Sequence, residues 1–202
     1  MSQIEPDFVS KTSFYWLYQD NLQIMSDQKT IIGAEYNEEK KHSQIVIEDI
    51  TNQDEEYSPV KINQHKNQIW NILIDEDNNS LYVGDYNGRM VEYSLSLKHN
   101  YGEIIKDYED LGVGIITSSV NLGQTIVFAG YGGRLGFIDT QKRELLENKI
   151  QMAPRYIKSM ELCWVENQQS QLKALLTVNG WFYDYSSKTD VLDVTGLSLI
   201  HI

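Results

Sequence analysis

Few residues of this 202-residue chain stand where chemistry is done, and their spacing decides what each can do. Asp75-Glu76-Asp77-Asn78-Asn79 opens like a calcium loop, with oxygen ligands at its first, third and fifth places. Such a loop needs glycine at the sixth place and a bidentate glutamate at the twelfth, and here these are Ser80 and Tyr86. The run therefore reads as a solvated turn between two strands. Gly130-Tyr131-Gly132-Gly133-Arg134-Leu135-Gly136 has the glycine density of a phosphate cradle, but no helical pattern follows to supply N-terminal amides. It too reads as a turn. His42, His65, His99 and His201 share no metal-ligand spacing with one another or with Cys163. Cys163 lies in an apolar run and is expected in the core, and His65 is expected to be structural, since no nucleophile motif lies beside it. No metal, cofactor or catalytic residue is expected.

A sharper signal comes from side chains that bind rather than react. Tyr86 and Arg89 flank Asn87-Gly88; 45 residues on, Tyr131 and Arg134 flank Gly132-Gly133. Around Asn179-Gly180 the same slots hold Val178 and Trp181. Tyr, Trp and Arg dominate binding hot spots because they offer large contact area or planar hydrogen bonding. Tyr86, Arg89, Tyr131, Arg134 and Trp181 are thus the candidate contacts for a protein or peptide partner.

The elements that must position them are strands. With only 3 prolines and 13 tyrosines, the chain is a series of short apolar runs broken by Asn, Asp and Gly. The nearest approach to a helix, Gln141 to Ile150, is short and unsupported by its pattern. The dipeptides Asn87-Gly88, Gly132-Gly133 and Asn179-Gly180 each lie between two apolar runs, as in hairpins closed by type I′ turns. Their glycines are 45 and 47 residues apart, and five residues past each comes a related pair: Tyr93-Ser94, Ile138-Asp139 and Tyr185-Ser186. Periods of this size mark stacked or radially arranged repeats. Glu48-Asp49 falls in the same phase one period earlier, after the longer, charged turn NEEKKHS. Approximate units are 11–53, 54–98, 99–143 and 144–196, within one domain spanning 1–202. In the run IWNILI, alternation puts Ile69 and Leu73 on one face and Trp70, Ile72 and Ile74 on the other. A strand apolar on both faces needs a sheet against each.

The stretch from Asn63 to Leu95 resembles a WD40 repeat without a gap. His65 matches the histidine of the Gly-His position, Asn87-Gly88 falls on the turn between the second and third strands, and Tyr93-Ser94 on the Trp-Asp pair. The resemblance implies an all-β fold: a β-propeller of WD40-like four-stranded blades, about four here, as a fragment of a larger ring, since the family usually has seven. It also implies that the turn residues face a surface where proteins and peptides dock. The family's hydrogen-bonded tetrad is incomplete: beside His65, its places for a hydroxyl, an aspartate and a tryptophan hold Val83, Asn87 and Tyr93. In the third unit Gly132 and Ile138 stand in the last two. Gly88, Gly133, Asp139, Asn179, Gly180 and Tyr185 complete the residues expected to hold the repeats.

Charge narrows the partners. The formal charge is −12, and residues 1–60 hold 12 acidic against 4 basic groups. Nucleic acid and anionic membranes need the reverse balance. One cysteine suits a reducing compartment, and the first residues lack a leader pattern. The expectation is a soluble cytoplasmic scaffold that binds a protein or peptide, its ring completed by missing blades or another chain. The rival is a hydrolase-like propeller with a central calcium, to which Asp85 and Asn87 would contribute. Tyr131 and Gly132 in the equivalent slots speak against that ring of ligands.

Overall fold

The computed structural model describes residues 22–37, 42–54, 56–62, 65, 67–96, 101–109, 111–146, 150–152, 156–166, 172–181 and 187–194. Among these residues the protein is all-β, with no helix, and its strands make four antiparallel sheets in chain order. The first sheet holds β1 (Leu22–Ile24), β2 (Thr30–Asn37), β3 (His42–Asp49) and β4 (Val60–Ile62). The second holds β5 (Ile69–Asp75), β6 (Ser80–Asp85), β7 (Met90–Ser94) and β8 (Ile104–Tyr108). In the third, β9 (Ile116–Asn121), β10 (Thr125–Gly130) and β11 (Arg134–Asp139) are followed by β12 (Glu144–Leu145) and β13 (Ile150–Gln151), which both pair with β11. The fourth holds β14 (Tyr156–Glu166), β15 (Leu172–Trp181) and β16 (Ser187–Asp193). The fourth strand of the first sheet, of the second and of the third falls in the sequence unit that follows its sheet.

Burial of both faces stacks the sheets. Ile32, Ile45 and Ile47 of the first sheet pack with Ile72, Leu81, Val83 and Val91 of the second. The second sheet's other face gives Leu73, Tyr82 and Met90 to a core with Ile116, Ile126 and Phe128 of the third. Val127, Leu135 and Phe137 then meet Ile157, Leu176 and Val178 of the fourth. The leading strands β5, β9 and β14 each pack on the sheet before them. Hydroxyls tie each of these strands to the sheet before it: Ser43 Oγ of β3 accepts from Ile69 N at 3.0 Å, Ser118 Oγ accepts from Met160 N at 3.1 Å, and Ser119 Oγ donates to Asn71 Oδ1 at 2.5 Å.

Each of the last three sheets carries a β-bulge where its leading strand begins, at Trp70, Thr117 and Lys158. An extra residue breaks strict alternation. Ile69 consequently shares a core with Ile72 and not with Leu73, contrary to the simple alternation of the sequence.

The hairpins of the second and third sheets close where expected, by a different turn. Gly88 N donates to Asp85 O at 3.2 Å, Asp85 N donates to Arg89 O at 3.0 Å, and Gly133 N donates to Gly130 O at 3.0 Å. Only the glycines have positive φ, +78° at Gly88 and +67° at Gly133, so Asn87 and Gly132 do not adopt the type I′ conformation. The geometry is a type I turn closed by a left-handed glycine. Asn179 and Gly180 do not turn at all. Asn179 pairs with Ser159 and Thr189, Gly180 with Ile157 and Lys188, and pairing runs on to Trp181 and Ser187. A residue paired on both sides cannot reverse the chain; the connection lies in 182–186, which with Tyr185 is outside the described residues. The helix candidate Gln141 to Ile150 is a turn followed by β12 and, after 147–149 outside the described residues, β13. Cys163 is exposed rather than in the core, because β14 places it on the face of the fourth sheet opposite Met160 and Leu162. No helix among the described residues is long and apolar enough to cross a membrane.

Close packing leaves no room for a side chain at Gly84. A Cβ there would lie 2.4 Å from Ile116 Cγ2 across the second and third sheets. Gly84→Ala is expected to lower stability by about 1–3 kcal/mol. Adding Ile116→Gly, which removes the obstructing Cβ, Cγ1 and Cγ2, should cost less than the two single changes summed. Denaturant midpoints of the four proteins check this.

Candidate functional site

Asp85 ends β6 with its side chain fully buried. Its Oδ1 accepts from the backbone N of Asn87 at 2.8 Å and of Arg89 at 3.0 Å, fixing the turn from within. Its Oδ2 accepts from Asn67 Nδ2 at 2.6 Å and lies 3.4 Å from His65 Nε2. On its other side the buried His65 ring places Nδ1 3.0 Å from the Tyr93 hydroxyl. An ionised carboxylate only accepts, so the fitting tautomer has the proton on Nε2 and takes the Tyr93 O–H at Nδ1. Burial pushes the Asp85 carboxyl upward, but His65, Asn67 and the Arg89 amide outweigh it and leave the group below its ordinary value. Burial raises the Tyr93 phenol, which keeps its hydroxyl protonated. The acid of this turn is therefore Asp85 and not Asn87, and one tyrosine brings both ring and hydroxyl to the histidine.

The turn so fixed carries Tyr86 into a row of rings. Trp70, turned by the bulge at the start of β5, stands 5.8 Å from Tyr86 and 5.9 Å from Tyr131 between ring centroids. Tyr131 in turn stacks on Tyr156 at 4.6 Å, with 5° between the planes. Tyr86 and Tyr131 are 51% and 44% exposed, while Trp70 and Tyr156 are half-buried. The row thus spans three sheets. Tyr86 and Tyr131 are brought together through Trp70, whose place between them the sequence hides inside a core-like strand.

The arginines are engaged within the fold. Arg89 grips Asp107 of β8 with a two-pronged contact, its Nε donating to Oδ1 at 2.8 Å. Arg134 Nε donates to Gln151 Oε1 of β13 at 2.7 Å, and its Nη1 to Gly112 O at 3.3 Å. Each ties a turn to the strand that pairs beyond it. Position 181 lies next to Tyr156 in the sheet; the Trp181 side chain is outside the described residues. Asp139 is buried and accepts at Oδ1 from the amides of Gln141 and Lys142, closing the turn before β12. Asp75 likewise accepts from Asn78 N and Nδ2, making the calcium-like run a turn between β5 and β6. Among the described residues no group of His, Cys, Asp and Glu is arranged to hold a metal ion.

No family model and no characterised protein matches this sequence. Solved structures match the fold. The crystal structure of the computationally designed Ika8 protein aligns over 85% of this chain and 45% of that one, at 11% identity and a TM-score of 0.56. The designed Ika4 protein aligns over 89% of this chain and 96% of its own, at 11% identity and 0.55. The structure of U3-55K aligns over 85% and 52%, at 10% identity and 0.56. This chain thus spans about half the length of Ika8 and U3-55K and almost all of Ika4.

Two predictions follow from the turn. Asp85→Asn is expected to cost about 1.5–3 kcal/mol near neutral pH, the range for hydrogen bonds to a charged group. Because its carboxyl sits below 3.8 in the fold, its contribution is complete above that value and disappears as pH falls below it. Urea midpoints of the two proteins should therefore converge on acidification below about pH 4; a gap that stays constant contradicts the assignment. Arg89→Ala removes a two-pronged pair whose side chains are only 22% and 32% exposed and should cost about 1.5–3 kcal/mol, read from the same urea midpoints.

Proposed function

We propose that the four sheets are blades of a WD40-like β-propeller, part of a larger ring, and that the protein is a non-catalytic interaction scaffold. The interlock of His65, Asp85 and Tyr93 between the entry to β5, the turn after β6 and β7 supports the propeller reading. So does the likeness in fold to longer solved chains. Val191 of the fourth sheet and Ile24 of the first, 59% and 63% exposed, mark ends where further blades of this chain or of another would pack. The single cysteine and the acidic charge suit a cytoplasmic setting.

The row Tyr86, Trp70, Tyr131 and Tyr156 carries the functional reading. Exposed aromatic side chains held rigid by neighbouring sheets lose little freedom when a partner docks. The contact surface is accordingly centred on the rings; Arg89 is paired with Asp107, and Arg134 donates through Nε and Nη1 to Gln151 and the Gly112 carbonyl. Tyr86→Ala with Tyr131→Ala is expected to leave the thermal midpoint within a few degrees of the parent, since both side chains are about half exposed, and to lower partner capture by tenfold or more, an effect of about 1.4 kcal/mol. Tyr82→Ala, in the core, should instead lower stability by about 3–5 kcal/mol. Quantitative affinity capture from cells of the source organism, with circular dichroism melts alongside, reads both. Capture unchanged by the double variant would sink this placement.

A further inference from the structure

Of the chain's asparagines only Asn87 and Asn179 precede glycine, and that dipeptide has a chemistry of its own. The backbone nitrogen that follows an asparagine can attack the side-chain carbonyl carbon, and glycine, having no Cβ, hinders the attack least. The fold puts the two copies in different settings. Asn179 and Gly180 lie inside β15, paired with β14 on one side and β16 on the other. Asn87 is exposed in the turn between β6 and β7, outside both ladders of its sheet. Gly88 N is held there by a bond within its own turn, to Asp85 O at 3.2 Å. Freeing it opens a turn, whereas freeing Gly180 parts three strands, and exposed turns open at far lower free energy than paired strands.

We propose that Asn87 is a site of spontaneous deamidation in the folded protein, and that its isoaspartyl product releases the turn that holds Tyr86. The Gly88 nitrogen gives its proton to water and bonds to Asn87 Cγ; the Cγ–Nδ2 bond breaks and ammonia leaves, closing a succinimide. Water then opens the ring at either carbonyl, to aspartate or to isoaspartate, and nothing is oxidised or reduced. Isoaspartate carries the chain through its own side chain, so the main chain gains a carbon between residues 87 and 88. The turn has no slack for it. Asp85 Oδ1 holds the amides of Asn87 and Arg89 at 2.8 and 3.0 Å, one on each side of the added atom, and a Cβ on Gly88 would already lie 2.7 Å from Gly114 O. The lengthened chain pulls one of the two amides away from the carboxylate. This chemistry belongs to the turn and is independent of whether the neighbouring rings bind a partner.

The test incubates the full chain in neutral buffer, folded and in urea, and follows both asparagines by peptide mass and by electron-transfer fragmentation, which separates isoaspartate from aspartate. In the folded protein Asn87 is expected to convert at least about tenfold faster than Asn179, because only its turn has to open. In urea, where the two settings vanish, the rates should converge. Asn87→Gln, whose longer side chain would have to close a six-membered ring, should leave residue 87 unconverted. The purified isoaspartyl form should shift the Tyr86 ring NMR signals well beyond their shift in Asn87→Asp, which carries the same charge on an ordinary main chain. Melting curves establish that each form is folded. An Asn179 rate equal to or above that of Asn87 in the folded chain, or no conversion at Asn87 while both sites convert in urea, overturns the site. Tyr86 signals alike in the isoaspartyl form and in Asn87→Asp overturn the release of the turn.

Discussion

A sheet with two apolar faces cannot exist alone in water, and the second sheet of this protein is such a sheet. Ile72, Leu81 and Val83 leave water on one side, and Leu73, Tyr82 and Met90 on the other. Each of these side chains contributes roughly 1.5–3 kcal/mol only when a neighbouring sheet covers it. Its neighbours inherit the same demand, so the sheets stack. Stacking brings the leading strands side by side, which accounts for the hydroxyl bridges between them and for glycine at position 84, where Ile116 leaves no space for a methyl group.

The same geometry determines where function can sit. Leading strands that adjoin one another bring their first residues together at one end of the stack, and the hairpin turns of the second and third sheets reach that end too. Bulges at Trp70, Thr117 and Lys158 depart from plain alternation there. They release one residue per strand from the inter-sheet core. At Trp70 the released side chain meets tyrosines from two different turns. Asp85 completes the arrangement: a buried carboxylate must find donors, and the donors it finds are the amides of its own turn and the side chains of the segment entering β5. A turn whose shape is set by a buried charge holds Tyr86 in one place.

Much of this organisation was legible in the sequence because it is local. A left-handed glycine and a short apolar run signal a hairpin within about ten residues, so the phase of 45 residues and the turns at Gly88 and Gly133 could be read directly. What depends on a partner strand could not. Asn179-Gly180 has the same local signal as Asn87-Gly88, but β15 is paired on both sides past that point, and ladder hydrogen bonds override a turn preference. The sides of Ile69 and Leu73 were misassigned because a bulge is a feature of register between strands and leaves no mark within either one. Asn87 took the place of Asp85 for a related reason: the acid that matters is the one aimed inward at His65, and direction is not written in spacing. Cys163 looked like core because it lies in the apolar run Leu162 to Val165, although only the face carrying Met160 and Leu162 meets another sheet among the described residues.

The engaged arginines change what a repeated residue means. Tyr86 with Arg89 and Tyr131 with Arg134 recur at one spacing, which suggested a shared binding role. In the fold the two types diverge. Each arginine reaches the strand beyond its own hairpin, Asp107 in one case and Gln151 in the other, so their recurrence follows from a recurring task of closing the sheet edge. Tyr131 instead packs between sheets, on Trp70 of the second and Tyr156 of the fourth, Tyr86 joins the row through Trp70 of its own sheet, and about half of each tyrosine side chain remains open to solvent. Periodicity thus identifies positions that do the same job in every sheet, and that job can be structural. A binding role is better argued from residues that pack across the repeat boundary and stay exposed, because stability of the single sheet does not account for them.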